Sequence, residues 1–171
     1  MIGQASNPML EQAEQAIASK MPPAMQQDLQ RVVHAGLTIM YSPQLAQQRN
    51  ARIAASSDPV QDASSGAARL ISNLFQQSNK SIPAALIIPA AIIFAFEYLD
   101  LVAKAGKTQI TPDLIAQTTQ AVAQAVLPLM GVTPQKMQSL LAVAKQHGNA
   151  QSAMTPSAPS GGIIGNAQAG Q

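Results

Sequence analysis

Five prolines, each directly preceded by a helix-capping residue, constrain the fold of this 171-residue chain more than any other feature. An Asn, Ser, Asp or Thr at the N-cap accepts a hydrogen bond from a free amide of the first turn. Proline suits the next position because its φ angle is already helical. Apolar residues recur at three- and four-residue spacing after these starts, and no stretch alternates as a strand would. We therefore predict an all-α protein. The five pairs are Asn7 with Pro8, Ser42 with Pro43, Asp58 with Pro59, Thr111 with Pro112, and Thr133 with Pro134.

The start signals and the apolar spacing together predict a bundle-like protomer of six or seven helices. Gly106 and Gly148 indicate helix ends, since glycine readily takes the left-handed conformation that closes many helices. After residue 148 the chain consists mostly of Ala, Ser, Pro, Gly and Gln. We expect a helical domain over residues 1–148 and a flexible, low-complexity C-terminal tail over 149–171. The predicted helices cover residues 8–20, 23–41, 43–56, 59–79, a central segment that ends near 105, 112–130 and 134–147.

Residues 81–96 form an uncharged segment between Lys80 and Glu97, and we expect it to be the centre of the fold. As a helix these residues would measure roughly 24 Å, less than the roughly 30 Å of a hydrocarbon core. Pro89, in the middle, removes one backbone donor and predicts a kink. The segment is either the buried helix of a bundle or oligomer, which we favour, or one that enters or lies on a membrane. The residues predicted to contact a partner subunit or a membrane are Leu86, Ile87, Ile88, Ile92, Ile93, Phe94 and Phe96.

The central segment becomes amphipathic after residue 96. Glu97, Asp100, Lys104 and Lys107 recur at three- and four-residue steps. This spacing predicts one polar stripe, solvated or ion-paired, in which Asp100 and Lys104 form an i,i+4 ion pair. Glu97 and Asp100 have the residue type of a general acid and base, but a polar stripe explains them more simply.

No residue pattern indicates an enzyme. His34 and His147 are expected to be solvated, and neither has a carboxylate at ligand spacing. Because cysteine is also absent, we predict no metal site, and we expect no catalytic residue, cofactor or small-molecule substrate. The net charge is +2, and the basic residues are spread along a chain that is only 3% aromatic. Specific nucleic-acid recognition is therefore not expected.

The composition favours assembly. Charged residues make up 11% of the chain, against about 25% in a typical globular domain. A polar but weakly charged surface suits burial against neighbours, because amides cost less to bury than charges. Few aromatic side chains also imply a thin core. We expect a homo-oligomer or a member of a hetero-assembly. The first residues lack the basic and apolar regions of a secretory signal.

In these respects the chain resembles the small internal or ejection proteins of short-tailed bacteriophages. They too are rich in alanine and glutamine, free of cysteine, helical and without a signal peptide, with a loose C-terminal tail. The resemblance implies a non-enzymatic virion structural protein that is packaged in the particle and helps to form a conduit for genome delivery through the host envelope. Its implied partners are further copies of itself, other virion proteins and the host membrane. Its location would be the virion, and then the host envelope after infection. The alternatives are a holin-like or other membrane-permeabilising protein, or a scaffold or secretion-apparatus subunit.

Overall fold

A computed structural model describes Gly3 and residues 5–131 of the chain. These residues form six α-helices and two short 3-10 helices and contain no strand, which confirms the all-α prediction. The predicted helix over 134–147, the domain boundary at 148 and the tail over 149–171 lie outside the described residues. In chain order the elements are α1 (Pro8–Ser19), α2 (Pro23–Met40), the 3-10 helix η1 (Pro43–Leu45), α3 (Ala46–Ala55), α4 (Pro59–Gln77), α5 (Ala84–Lys104), α6 (Pro112–Val126) and the 3-10 helix η2 (Leu127–Met130).

Three of the predicted cap residues accept a hydrogen bond from the first turn of their helix. Asn7 caps α1, Asp58 caps α4 and Thr111 caps α6, at distances of 3.0, 3.0 and 3.1 Å. Ser42 differs because Pro43 begins the 3-10 helix η1, and the Ser42 side chain makes no capping bond. Thr133 lies outside the described residues.

The end of α5 is closed as the glycine signal predicts. Gly106 has a φ of 70°. Its amide bonds to the Ala103 carbonyl at 2.9 Å, and the Lys107 amide bonds to the Val102 carbonyl at 3.1 Å. This pair of bonds satisfies two carbonyls that would otherwise lack partners, so the chain can leave α5 without a buried unpaired group.

Helix α5 is the centre of the bundle and packs against α1, α2, α4 and α6. Thirteen of its 21 residues are buried, and the helix continues through Pro89. A helix that is apolar around most of its circumference needs neighbours on several sides, which these four helices supply. Each large side chain buried in this way contributes about 1.5–3 kcal/mol.

The close approach of α2 to α5 depends on Gly36. A Cβ atom at this position would lie 2.2 Å from Cζ of Phe94, far inside van der Waals contact. The Phe94 ring therefore occupies the space that any other residue at position 36 would need. Gly36 is one of the four buried residues of α2, with Leu29, Val33 and Leu37.

Six of the seven residues predicted to contact a partner or a membrane are buried inside the protomer, and Ile88 is partly buried. The exposed fractions of the six buried residues range from 0 to 7%. Because these side chains already form the core of one chain, contact with a partner or a bilayer would require α5 to leave the bundle. That contact stays a prediction. The six buried residues are Leu86, Ile87, Ile92, Ile93, Phe94 and Phe96.

Candidate functional site: a buried carboxylate cluster on the central helix

The first two members of the predicted polar stripe on α5 are buried rather than solvated. Glu97 is 0% exposed and Asp100 is 2% exposed, whereas the side chain of Lys104 is 52% exposed. Both carboxylates are covered by the residues that precede α1, which we call the pre-α1 segment (Gly3, Ser6 and Asn7). Charges at this spacing mark one helix face, but they do not reveal that a segment distant in sequence covers that face.

Asp100 holds the start of α1. Its Oδ2 accepts a hydrogen bond from the Ser6 amide at 3.1 Å, and its Oδ1 accepts one from the Asn7 amide at 3.2 Å. The Ser6 hydroxyl donates to the same carboxylate at 3.3 Å. Lys104 Nζ lies 2.8 Å from Oδ2, which confirms the predicted i,i+4 ion pair.

The protonation of Asp100 follows from these partners. Burial alone raises the pKa of Asp100, but the hydrogen bonds from Lys104 and Ser6 outweigh it and hold the pKa below its ordinary value. Asp100 is therefore an ionised group that fixes Ser6 and Asn7 against α5.

Glu97 lies between α2 and the pre-α1 segment. The Tyr41 hydroxyl donates to Glu97 Oε2 at 2.9 Å. Burial first, and then the charge of Glu97, raise the pKa of Tyr41, so the hydroxyl remains a donor. The Arg49 guanidinium lies over the Tyr41 ring, 5.6 Å from its centroid. Tyr41 thus joins the end of α2 to the carboxylate cluster.

Gly3 fits against two carboxylates at once. A Cβ atom on Gly3 would lie 2.0 Å from Glu14 Oε2 and 2.6 Å from Glu97 Oε1. Since both oxygens are that close to one point, Glu14 and Glu97 are neighbours. A side chain at position 3 would displace one or both of them.

Glu14 is the third member of the cluster and lies on the inner face of α1. It is 3% exposed, and its Oε1 has no hydrogen-bond partner within the described residues. Burial raises the pKa of Glu14 to about 8, with smaller contributions from the charges of Glu97, Asp100 and Glu11. At neutral pH it is therefore mainly a neutral carboxylic acid next to the other acidic groups.

Sequence reasoning did not single out Glu14, Tyr41 or the pre-α1 segment. One signal was present for Glu14, which lies four residues after Leu10 and four before Ala18, the other two buried residues of α1. An acidic residue in the middle of an inward-facing row indicates a buried carboxyl group. The roles of Gly3 and Ser6 have no comparable signal.

The cluster connects two distant parts of the same chain, the pre-α1 segment and α5. In the described part of the chain no group of three His, Cys, Asp or Glu side chains could hold a metal ion. The Asp100 oxygens are occupied by backbone amides, the Ser6 hydroxyl and Lys104. The arrangement therefore acts as a polar clasp between the pre-α1 segment and α5. His34 is exposed on α2, as predicted, and His147 lies outside the described residues.

Of the described helices, α5 is the one that is long and apolar enough to cross a membrane. Its mean hydropathy over an 18-residue window is 2.0, and 72% of that window is buried inside the protein. No protein-family model, curated protein or solved structure matches the chain. Function is therefore inferred from composition and geometry.

Proposed function

We propose that this chain is a non-enzymatic virion structural protein, an internal or ejection protein of a short-tailed bacteriophage that helps to build a conduit for the genome through the host envelope. The observation that carries the proposal is the burial of α5, a helix with the length and hydropathy of a membrane segment, inside a helical bundle. An ejection protein has to keep such a surface covered until delivery.

The charge distribution along α5 favours a conduit component over a free-standing membrane anchor. Residues 84–96 are uncharged, and Glu97 and Asp100 follow directly. The uncharged part would cover about 20 Å of a bilayer, less than the roughly 30 Å of its hydrocarbon core. A charge at the centre of a membrane helix costs about 2.5–3.5 kcal/mol. Neighbouring subunits would therefore have to shield the two carboxylates if α5 entered a membrane.

The clasp gives α5 a releasable cover. The bonds between Asp100 and the pre-α1 segment are polar, and water can replace each of them at a modest net cost, about 1.5–3 kcal/mol for a bond to a charged group. The apolar contacts of Ile92, Ile93 and Phe94 need another apolar environment to replace them. We therefore expect the clasp to open first, and α5 to leave the bundle only where a bilayer or further copies are present.

The exposed residues suit packing into a particle. The charged fraction of 11% leaves a surface with few ions to desolvate on assembly. Further copies of the chain and other virion proteins are the proposed partners, with the host membrane at the delivery stage. The proposal includes no catalytic residue, cofactor or nucleic-acid readout.

Mass spectrometry of purified particles of the encoding phage tests this function. We expect the chain in intact particles and its loss from particles that have ejected their DNA in vitro. Absence from intact particles would overturn the proposal.

Two matched variants test whether α5 is packaged in its buried form. Ile92→Asp places a charge in the core, so we expect it to abolish folding and incorporation. Gln47→Asp, on an exposed position of α3, should be incorporated normally. Normal incorporation of Ile92→Asp would contradict burial of α5 in the particle.

The second candidate is a holin-like protein, which the length and hydropathy of α5 also favour. A holin resides in the membrane of the cell that makes it. Expression of the chain alone, followed by carbonate extraction, separates the two. Firm recovery in the membrane pellet would support the holin, and recovery in the soluble fraction would support the ejection protein.

A further inference from the structure

A cleft of about 180 Å³ opens where the end of α2, α3, α4 and α5 meet. Its walls are mainly apolar and include Ile39, Leu70 and Phe94. Gly66 of α4 forms part of the wall, and a Cβ atom there would meet only Arg52 Nη2, at 3.9 Å. The space next to Gly66 is therefore empty, and a larger side chain at this position would extend into the cleft.

The charged residues that line this cleft are both basic. Arg49 and Arg52, one turn apart on α3, line it, and no described acidic residue does. Arg49 donates one hydrogen bond, to the Met40 carbonyl at 2.6 Å. Arg52 forms no ion pair or hydrogen bond with another described residue. Since a guanidinium carries five donors, most donors of this pair have no partner among the described residues and are available to a ligand.

Tyr98 of α5 adds an aromatic side chain to the wall of the cleft. It lines the cleft, and its hydroxyl is buried without a hydrogen-bond partner among the described residues. The nearby Ser56 hydroxyl is already bound to Asp62 Oδ2 at 2.6 Å. Burial, and then the charge of Asp62, raise the pKa of Tyr98 and outweigh the lowering by Arg52 and by the nearby Ser56 hydroxyl, so the Tyr98 hydroxyl stays protonated. Because this hydroxyl is buried beside Ser56 and Asp62, the groups that an anionic oxygen in the cleft would meet are the guanidinium groups of Arg49 and Arg52.

We propose that this cleft binds a single-chain alkyl carboxylate, with the chain against Ile39, Leu70 and Phe94 and the carboxylate on Arg49 and Arg52. Arginine presents paired donors that match the two oxygens of a carboxylate. A cavity of about 150 Å³ is enough for benzene, so this cleft takes a chain of about six to eight carbons and has no room for a two-chain lipid. The inference is independent of the proposed virion role.

Octanoate is the test ligand, and the fluorescence of the tyrosines in the protein reports its binding. The chain has two tyrosines and no tryptophan. Tyr98 lines the cleft and Tyr41 lies under Arg49, so intrinsic tyrosine fluorescence of the full chain reports on this region. We expect a saturable change with one octanoate per chain. Octanol, which has no charge, should bind about tenfold more weakly, equivalent to about 1.4 kcal/mol.

Arg52→Gln tests the carboxylate contact. It should raise the Kd for octanoate about tenfold and leave the Kd for octanol unchanged, because only the charged head group contacts Arg52. Arg69→Gln is the matched control, since Arg69 is exposed on α4 and does not line the cleft. It should leave both Kd values unchanged.

Gly66→Leu tests the cavity by filling it. We expect an unchanged helical circular dichroism spectrum and loss of octanoate binding, while Gly66→Ala keeps binding within about twofold of wild type, since one methyl group fills little of the cleft. If Gly66→Leu fails to fold, the Arg52→Gln comparison decides. Octanoate binding that does not saturate, or an Arg52→Gln variant that binds octanoate as wild type does, would overturn the proposal.

Discussion

Replacing Glu14 by glutamine removes an ionisable group from the carboxylate cluster and preserves its shape. Burial raises the pKa of Glu14 from its ordinary value of 4.5 to about 8. Between these values the folded protein holds a proton that the unfolded chain has released, so stability falls by about 1.4 kcal/mol for each pH unit. The contribution of Glu14 is complete below pH 4.5 and is lost as the pH rises through 8. The total is about 5 kcal/mol, comparable with the whole stability of a small domain.

Urea unfolding at pH 5 and pH 9, followed by circular dichroism, measures this effect. Glu14→Gln should have nearly the stability of wild type at pH 5 and exceed it by several kcal/mol at pH 9. The pKa shift of Asp100 has the opposite effect on how stability depends on pH. Because its pKa is lowered, its contribution is present above the ordinary value of 3.8 and lost as the pH falls below it, in wild type and variant alike.

Glu11→Gln, on the same helix but partly exposed, is the control. It removes only the smallest contribution to the raised pKa of Glu14, so it should change the stability difference between the two pH values far less than Glu14→Gln does. If Glu14→Gln and wild type lose the same stability between pH 5 and pH 9, Glu14 is ionised in the folded protein and the reasoning fails.

The remaining predictions concern the contacts of α5 and can be measured by urea unfolding at pH 7 or by hydrogen exchange. Gly36→Ala should destabilise the fold by about 1–3 kcal/mol because the added methyl group meets Phe94, although alanine has a better helix propensity than glycine. Adding Phe94→Leu to this variant should recover part of the lost stability. Asp100→Asn should cost about 2–4 kcal/mol, since it removes the charge and replaces one acceptor oxygen with an NH₂ group that cannot accept from Ser6 or Asn7. Lys104→Gln should cost less than about 1 kcal/mol because the lysine side chain is half-exposed. Gly3→Ala should leave the helical content unchanged and speed amide exchange at the start of α1; unchanged exchange would show that Gly3 does not seat this segment.

The sequence predicts the helices well because their signals are local. Asn7, Asp58 and Thr111 cap the turns that directly follow them, and Gly106 closes the helix that directly precedes it. Such contacts depend on a few neighbouring residues and are encoded where they occur. Ser42 shows the limit, since the same pairing of a cap residue with proline precedes a 3-10 helix there and the Ser42 side chain makes no capping bond.

The clasp could not be predicted in the same way. Glu97 and Asp100 have the spacing of a solvated stripe, and their burial depends on residues more than 90 positions earlier in the chain. In α1 the position of Glu14 between Leu10 and Ala18 indicates that it is buried, but it does not indicate which carboxylates lie next to it. Long-range polar contacts leave no periodic pattern, so three-dimensional packing has to reveal them.

The large sequence separation between Ser6 and Asp100 also implies an order in which the parts of the chain fold. These residues are 94 positions apart, so their contact closes a loop that includes most of the described residues. Closing so long a loop gains little until the helices between have packed, since its entropy cost must be offset by contacts already formed. We expect the transition state for folding to contain α4 and α5 with the clasp still open. Asp100→Asn should accordingly speed unfolding and leave the folding rate unchanged, a φ-value near zero in stopped-flow kinetics, whereas a value near one would place the clasp in the nucleus. During synthesis, α5 would then find its helical neighbours before the first residues of the chain close over its carboxylates.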